Sequence, residues 1–319
     1  MKSIPELHTL IEKELKEIKI PNSPENLYNP IEYVLSIGGK RMRPILLLLS
    51  HQLFSDDIRS SVNSALAIEV FHNFTLLHDD IMDNARLRRG FKTVHEKWDN
   101  NTAILSGDTM LVQSYNLLMD VEDNNLRTVF ETFNKSAKEV CEGQQWDMDF
   151  EGRDDVSLSE YMKMIEYKTA VLLASSLKIG AINGGATSED AEHLYQFGLN
   201  LGIAFQLKDD LLDSFGDPEK FGKQIGGDIL SNKKTFLYLK SLQIADEKTK
   251  DKLLNQFLND EENKVEKVKE IFSQLDVPKH TTEMIKSYYT KSRKHLDSVN
   301  SDKKHDLISF AEQLKERIS

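Results

Sequence analysis

Two stretches of the chain carry aspartates at one spacing. LLHDDIMDNARLRRG (76–90) holds Asp79, Asp80 and Asp83, and GIAFQLKDDLLDSFGD (202–217) holds Asp209, Asp210 and Asp213. On a helix, the first and last carboxylates of D-D-x-x-D project about 40° apart on one face. Apolar residues precede both clusters, so both are expected on partly buried helices, where desolvation and mutual repulsion penalise ionised carboxylates. A hard divalent cation with oxygen ligands relieves both penalties. Mg²⁺ takes few carboxylates, keeps waters and shares its remaining positions with substrate phosphates. Two such clusters point to several Mg²⁺ holding one polyphosphate between them. Two solvated acidic helix faces are the plainer alternative. The chain supplies its own contrast: Asp56-Asp57 and Asp154-Asp155 lack a third acid one turn on, sit among polar residues, and read as loop or capping residues.

Cations accompany the acids. GGKRMRP (38–44) sets Gly38 and Gly39 before Lys40, Arg41 and Arg43. Glycine lets the backbone approach a ligand, and the three cations suit phosphate oxygens; a turn with exposed charges entering the next helix is the alternative. RLRRG (86–90) follows the first aspartates, with Gly90 expected to end their helix and Arg88 and Arg89 in its last turn. EYKTA offers Lys168 and Thr169, and a long Gly- and Lys-rich loop offers Lys223 and Lys233. Each lysine singly reads as a solvated surface residue. Together they leave a group of cations beyond those needed near the metals, which points to two phosphorylated substrates with only one metal-bound. No Ser/His/Asp or Cys/His set argues for nucleophilic catalysis.

The elements that position these residues read as helices. Pro5, Pro21, Pro24, Pro30 and Pro44 crowd the N-terminal part, then none occurs until Pro218 and Pro278. Proline interrupts helices, so the long proline-free middle suits a stack of them. In SSVNSALAIEVFHNFTLLHDDIMD, apolar residues recur mostly at steps of three and four. DTMLVQSYNLLMDV and KTAVLLASSLKIGAI read the same way, and Ser157 with Glu160 forms a capping-box pattern. Strictly alternating runs bounded by turn residues are scarce, so little sheet is expected. FSDDIRSS, FEGRDDVS, GGATSED and the stretch 214–234 read as loops. No composition break or repeat appears. The fold expected is all-α, one domain over residues 1–319.

The chain has 319 residues, 39% hydrophobic and 29% charged, with a net charge of −11 that argues against nucleic-acid binding. Its one cysteine, Cys141, excludes an internal disulfide, suits a reducing cytoplasm, and reads as a small buried residue. The charged N-terminus does not read as a signal peptide, and the longest apolar run, PILLLLS, falls far short of the roughly 20 residues a membrane span needs. A soluble cytoplasmic protein is expected.

Taken in order, GGKRMRP, LLHDDIMDNARLRRG, KTA, GIAFQLKDDLLD and FGKQIGGDILSNKKT make the chain resemble the trans-isoprenyl diphosphate synthases, the polyprenyl synthetase family, over about residues 30 to 240. The resemblance implies an all-α bundle around a deep central cavity, usually in a homodimer. It implies head-to-tail condensation of isopentenyl diphosphate with an allylic diphosphate. Three Mg²⁺ would be held by Asp79, Asp80, Asp83, Asp209, Asp210 and Asp213. The allylic diphosphate would meet Arg88, Lys168, Gln206, Lys223 and Lys233, and isopentenyl diphosphate Lys40, Arg43, His72 and Arg89. His72 by itself reads equally well as a core histidine. Lys168-Thr169 and Gln206 would stabilise the allylic cation, and the released diphosphate would take the final proton.

Within this resemblance, the residue five before the first aspartate sets the floor of the growing tail. Here it is Phe74, beside Thr75, with Phe71 three residues back on the same face. Phe74 lies about 7.5 Å below Asp79 along a helix axis. A bulky ring there and the short spacer of the first motif point to a C20 product, with C15 the nearest alternative; both phenylalanines also read as ordinary core. Two rival readings remain, a class I terpene cyclase and a non-catalytic subunit of a heteromeric synthase. GGKRMRP and the completeness of both aspartate motifs speak against them.

Overall fold

The computed structural model describes residues 1–216, 226–259 and 263–316. It is helical almost throughout. Helices α1 (Ile4–Glu17), α2 (Glu25–Ser36), α3 (Met42–Gln52) and α4 (Arg59–Met82) come first, followed by a short ladder of β1 (Leu87–Arg88) and β2 (Phe91–Lys92). Next come α5 (Val94–Lys97), α6 (Asn100–Leu118), α7 (Asp123–Glu151) and α8 (Leu158–Ile165). A π turn, Glu166–Ala170, leads into α9 (Val171–Asn183), and α10 (Ser188–Phe215) follows. After the short α11 (Gly227–Leu230) come α12 (Phe236–Ile244), α13 (Glu247–Leu258), α14 (Lys264–Gln274), α15 (Val277–Ser298) and α16 (His305–Glu316). Among the described residues no helix is long and apolar enough to cross a membrane.

The chain forms two compact units. The first comprises Met1–Phe133, Ser175–Leu194 and Asn300–Ile308. Its centre is α4, flanked by α3 and α6, with Leu46 to Leu49, Ala65, Ile68 and Phe71 shut off from solvent. A helix apolar on most of its circumference has to be surrounded, and α4 is. Ser50 donates to the Leu177 carbonyl (2.6 Å) and Asn183 to Ser64 (3.0 Å), satisfying polar groups in this core.

The second unit comprises Asn134–Ala174, Tyr195–Val299 and Ser309–Ser319. Its core gathers Tyr161, Ile165, Leu207, Phe236, Phe257 and Phe272, with Tyr238 stacked on Phe257 at 4.0 Å. The reciprocal capping box opens α8: the Ser157 N–H donates to Glu160 Oε2 (2.8 Å) and the Glu160 N–H to Ser157 Oγ (3.2 Å).

Three sequence expectations are corrected. The helix of the first aspartates ends at Met82, well before Gly90. Asn84 (φ 49°), Arg89 (φ 53°) and Gly90 (φ 80°) lie in the left-handed region and turn the chain into the β1–β2 hairpin, so Arg88 and Arg89 stand on a hairpin. Pro30 lies inside α2, where it is buried and forgoes one bond of the ladder. Cys141 is exposed, because it falls on an outward face of α7. Asp56, Asp57, Asp154 and Asp155 do lie in loops: Asp57 accepts from Arg59 (2.8 Å) and Asp155 from Arg153 (2.8 Å).

Candidate active site

In the first unit, the C-terminal end of α4 carries Asp79, Asp80 and Asp83. Asp80 is the buried one. Arg88 on the hairpin donates to its Oδ1 from Nε (2.8 Å) and Nη2 (2.7 Å), with Nη2 also 3.5 Å from Asp79. Burial raises the Asp80 pKa, and the Arg88 charge opposes that shift. Asp79 is half-buried and Asp83, the C-cap, is exposed. The hairpin is held by Arg89, which donates to the Gly38 carbonyl, and by Tyr33, which donates to the Lys92 carbonyl (2.8 Å). A pocket of about 370 Å³ between α2, α4 and this hairpin is lined by Asp80, Arg88, Arg89, Asn73 and apolar residues including Ile37 and Leu77.

GGKRMRP bends sharply here, with Gly38 at φ 74° and Arg41 at φ 46° before α3 begins at Met42. Lys40 is exposed and Arg43 half-buried. Arg43 Nη1 donates to His72 Nε2 (3.1 Å). Burial, and after it the charges of Arg43 and Arg89, holds the His72 imidazole well below its usual pKa, so the ring is neutral and accepts. Arg41 departs from the expectation of a third phosphate-facing cation. Its side chain is buried against two carboxylates, because an isolated guanidinium in the core has to be paired.

In the second unit, a pocket of about 620 Å³ is lined by Lys168, Thr169, Gln206, Asp210 and Lys233, together with Asp147, Tyr161 and Asp228. The π turn presents Lys168 and Thr169 to it. Two glycines let neighbouring helices press on that turn: a Cβ on Gly143 would stand against the Lys168 backbone, and one on Gly202 would lie 2.7 Å from the Ala170 Cα. Inserted π turns favour functional sites because they re-aim side chains. Lys168 Nζ donates to Asp147 Oδ2 (2.6 Å), and Thr169 donates to Gln206 Oε1 (3.1 Å). Gln206 Nε2 in turn donates to Asp210 Oδ1 (3.1 Å), and the Tyr161 hydroxyl donates to Asp210 Oδ2.

Asp210 is 4% exposed. Burial first, then the charge of Asp228, pushes its pKa up to about 7 despite hydrogen bonds from Tyr161, Gln206 and the Phe236 N–H. Such a carboxylate calls for a proton or a cation, and its hard oxygen donors fit Mg²⁺. Among the described residues no three acidic or histidine side chains form a ready-made metal site. Mg²⁺ bound through one or two carboxylates, with phosphates and waters completing its octahedron, does not need one. Asp209 and Asp213 are half-buried on α10, and Asp213 Oδ2 accepts from the Asp228 N–H (3.0 Å). Lys223 lies outside the described residues.

Comparison with known proteins decides which family this is. Residues 24–275 match the family model Polyprenyl synthetase. The chain belongs to the polyprenyl synthetase family. It is 41% identical over 235 residues to a geranylgeranyl diphosphate synthase of Methanosarcina mazei, covering 73% of this chain and 72% of that one. It is 36% identical over 311 residues to the geranylgeranyl pyrophosphate synthase of Geoglobus acetivorans, covering 97% and 96%. A crystal structure of a geranylgeranyl pyrophosphate synthase superposes with a TM-score of 0.95 at 45% identity and covers 100% of both chains. The fold is thus the all-α isoprenoid synthase fold.

Within this polyprenyl synthetase chain, the structure groups the sequence-derived residues by unit. Asp79, Asp80, Arg88, Arg89, Arg43 and His72 cluster around the end of α4 in the first unit, while Lys168, Thr169, Gln206, Asp210 and Lys233 share the pocket of the second. The floor candidates form an aromatic cluster. The ring of Phe71 lies 5.6 Å from Phe74 and 5.2 Å from Phe133, and Phe74 lies 4.8 Å from His78. Thr75 donates to the His72 carbonyl (2.8 Å). Sequence reasoning missed Asp147, Tyr161 and Asp228. Asp228 followed a GG pair in a stretch already marked as functional, which is a usable signal, whereas Asp147 and Tyr161 look like any helical residues.

Proposed function

We propose that this protein is a Mg²⁺-dependent trans-prenyltransferase that condenses isopentenyl diphosphate head-to-tail with an allylic diphosphate. The observation that carries the reading is Asp210: a buried carboxylate held near pKa 7, on one pocket wall with Lys168, Gln206 and Lys233. The family match and the names of the relatives support it, and nothing in them favours a terpene cyclase or a non-catalytic subunit.

The residues divide the work. Asp79, Asp80, Asp83, Asp209, Asp210 and Asp213 would hold the metal, three ions per site by family resemblance. When bound, Mg²⁺ neutralises the allylic diphosphate and stabilises the charge it gains on leaving. Lys168, Lys223, Lys233 and Arg88 add cationic stabilisation to the same group. Lys168 is aimed by Asp147, and Gln206, accepting from Thr169, keeps an amide dipole beside the allylic cation. Lys40, Arg43 and Arg89 take the diphosphate of isopentenyl diphosphate. Neutral His72 steadies Arg43 without adding charge. The π bond of isopentenyl diphosphate attacks the cation, and the released diphosphate accepts the proton, so no side-chain base is needed.

The C20 product, with C15 as the alternative, is supported by the Phe71–Phe74–Phe133 cluster below the first aspartates and by relatives named geranylgeranyl synthases. A homodimer is supported by α6, whose Leu105 (59%) and Val112 (60%), with Met119 (59%) at its C-cap, make an exposed apolar stripe at seven-residue steps. The single cysteine suits a cytoplasmic setting. Incubation with labelled isopentenyl diphosphate, an allylic primer and Mg²⁺ should yield all-trans geranylgeranyl diphosphate. A cyclic hydrocarbon, or no incorporated label, would overturn the proposal.

A further inference from the structure

We propose that Arg41, clamped by Glu12 of α1, is a positioning residue that fixes the loop presenting Lys40 and Arg43, so that α1 sets the affinity for isopentenyl diphosphate. The inference rests on the assignment of Lys40 and Arg43 to that substrate. Arg41 has a fully buried side chain and a backbone in the left-handed region, which a residue bearing a Cβ adopts only when its surroundings impose it. Its guanidinium ties three helices to the loop. Nε donates to Glu12 Oε1 of α1 (2.7 Å), Nη1 to Glu69 Oε1 of α4 (2.7 Å) and Nη2 to the Leu35 carbonyl of α2 (2.9 Å). Glu69 Oε1 also accepts from Asn73 (3.1 Å), one turn along α4. A second bond runs from α1 to the same loop, His8 Nε2 donating to the Gly39 carbonyl (3.1 Å).

Every guanidinium nitrogen of Arg41 is engaged within the protein, and the side chain is fully buried. Lys40 directly precedes Arg41 and Arg43 follows two residues on, so its three anchors bear on where both candidate ligands point. Glu12 and His8 precede residue 24, where the family match begins, so this clamp comes from outside the matched segment. A charged hydrogen bond between a guanidinium and a carboxylate is roughly twice as strong as a neutral one. Loosening the Glu12 contact therefore lets the loop drift while the rest of the core, including the Glu69 pair, stays packed.

The test is steady-state kinetics of Glu12→Gln, Glu12→Asp and His8→Ala beside the wild type, with melting temperatures and calorimetric titration of isopentenyl diphosphate. Glu12→Gln should raise KM and Kd for isopentenyl diphosphate roughly tenfold, with kcat and the allylic KM changed less than twofold. Glu12→Asp should recover part of the loss. His8→Ala should move the same constant in the same direction, and it keeps the idea testable if Glu12→Gln fails to fold. Unchanged isopentenyl diphosphate constants in a folded variant, or equal losses for both substrates, would overturn the positioning role while the proposed reaction stands. A wild type that elongates no primer would remove the reaction and this role together.

Discussion

The carboxylate of Asp210 should make the metal-free protein lose stability as pH rises. Its pKa is 3.8 in an unfolded chain and about 7 in the fold. Between those values the folded state holds a proton that the unfolded state has released, so stability falls with rising pH and levels off above about 7. The span of about three units at 1.36 kcal/mol each comes to about 4 kcal/mol. His51 and His72 act in the opposite sense. Burial depresses both pKa values, so the unfolded chain binds protons they refuse, and stability falls as pH drops through about 6.5. The clean quantity is therefore the difference between wild type and Asp210→Asn, in which the histidines cancel. Urea unfolding in EDTA across pH 4.5 to 8 covers the part of that span above pH 4.5 and should show the wild type losing about 3 kcal/mol relative to the variant. Adding Mg²⁺ and inorganic pyrophosphate should flatten the wild-type profile and leave the variant unmoved. A difference that is constant with pH would refute the buried-carboxylate argument.

Phe74→Ala should shift the product toward longer chains, read by chromatography of the dephosphorylated alcohols, and should cost about 3–5 kcal/mol of stability for the cavity it leaves; an unchanged product spectrum would remove the floor argument. Gly143→Ala drives a methyl against the Lys168 backbone. It should lower kcat roughly tenfold or more by displacing the lysine, while circular dichroism shows helix content retained. Arg88→Ala strips the guanidinium from Asp80 and Asp79. Calorimetry should then find tighter Mg²⁺ binding without substrate, alongside a raised KM for the allylic diphosphate.

What the sequence disclosed was whatever depends on local period and spacing. The three-and-four rhythm of 61–83 located α4, the Ser157–Glu160 pair located the start of α8, and the repeated D-D-x-x-D singled out the acids proposed to hold the metal. It misjudged features fixed by distant partners. Arg88 and Arg89 read as helix-terminal charges because Gly90 is a ready stop signal. The chain instead leaves the helix at Asp83, and bonds from Tyr33 and to Gly38 hold a hairpin there. Arg41 read as one of three equivalent cations because nothing local records that Glu12, 29 residues away, and Glu69, 28 residues away, claim it. Asp147 and Tyr161 stayed hidden for the same reason: each matters only through a residue on another helix.

The π turn at 166–170 has a consequence for how this segment can change in length. An α-helix rotates about 100° per residue, and the turn accommodates one residue beyond what an uninterrupted ladder from Leu158 to Asn183 would hold. Deleting that residue would heal the hydrogen-bond pattern and improve the helix locally. It would also swing everything on one side of the cut a quarter-turn and more, pulling either Tyr161 from Asp210 or Ala170 from Gly202. EYKTA is therefore a stretch in which the better helix is the poorer protein, and its length is guarded by contacts at both ends.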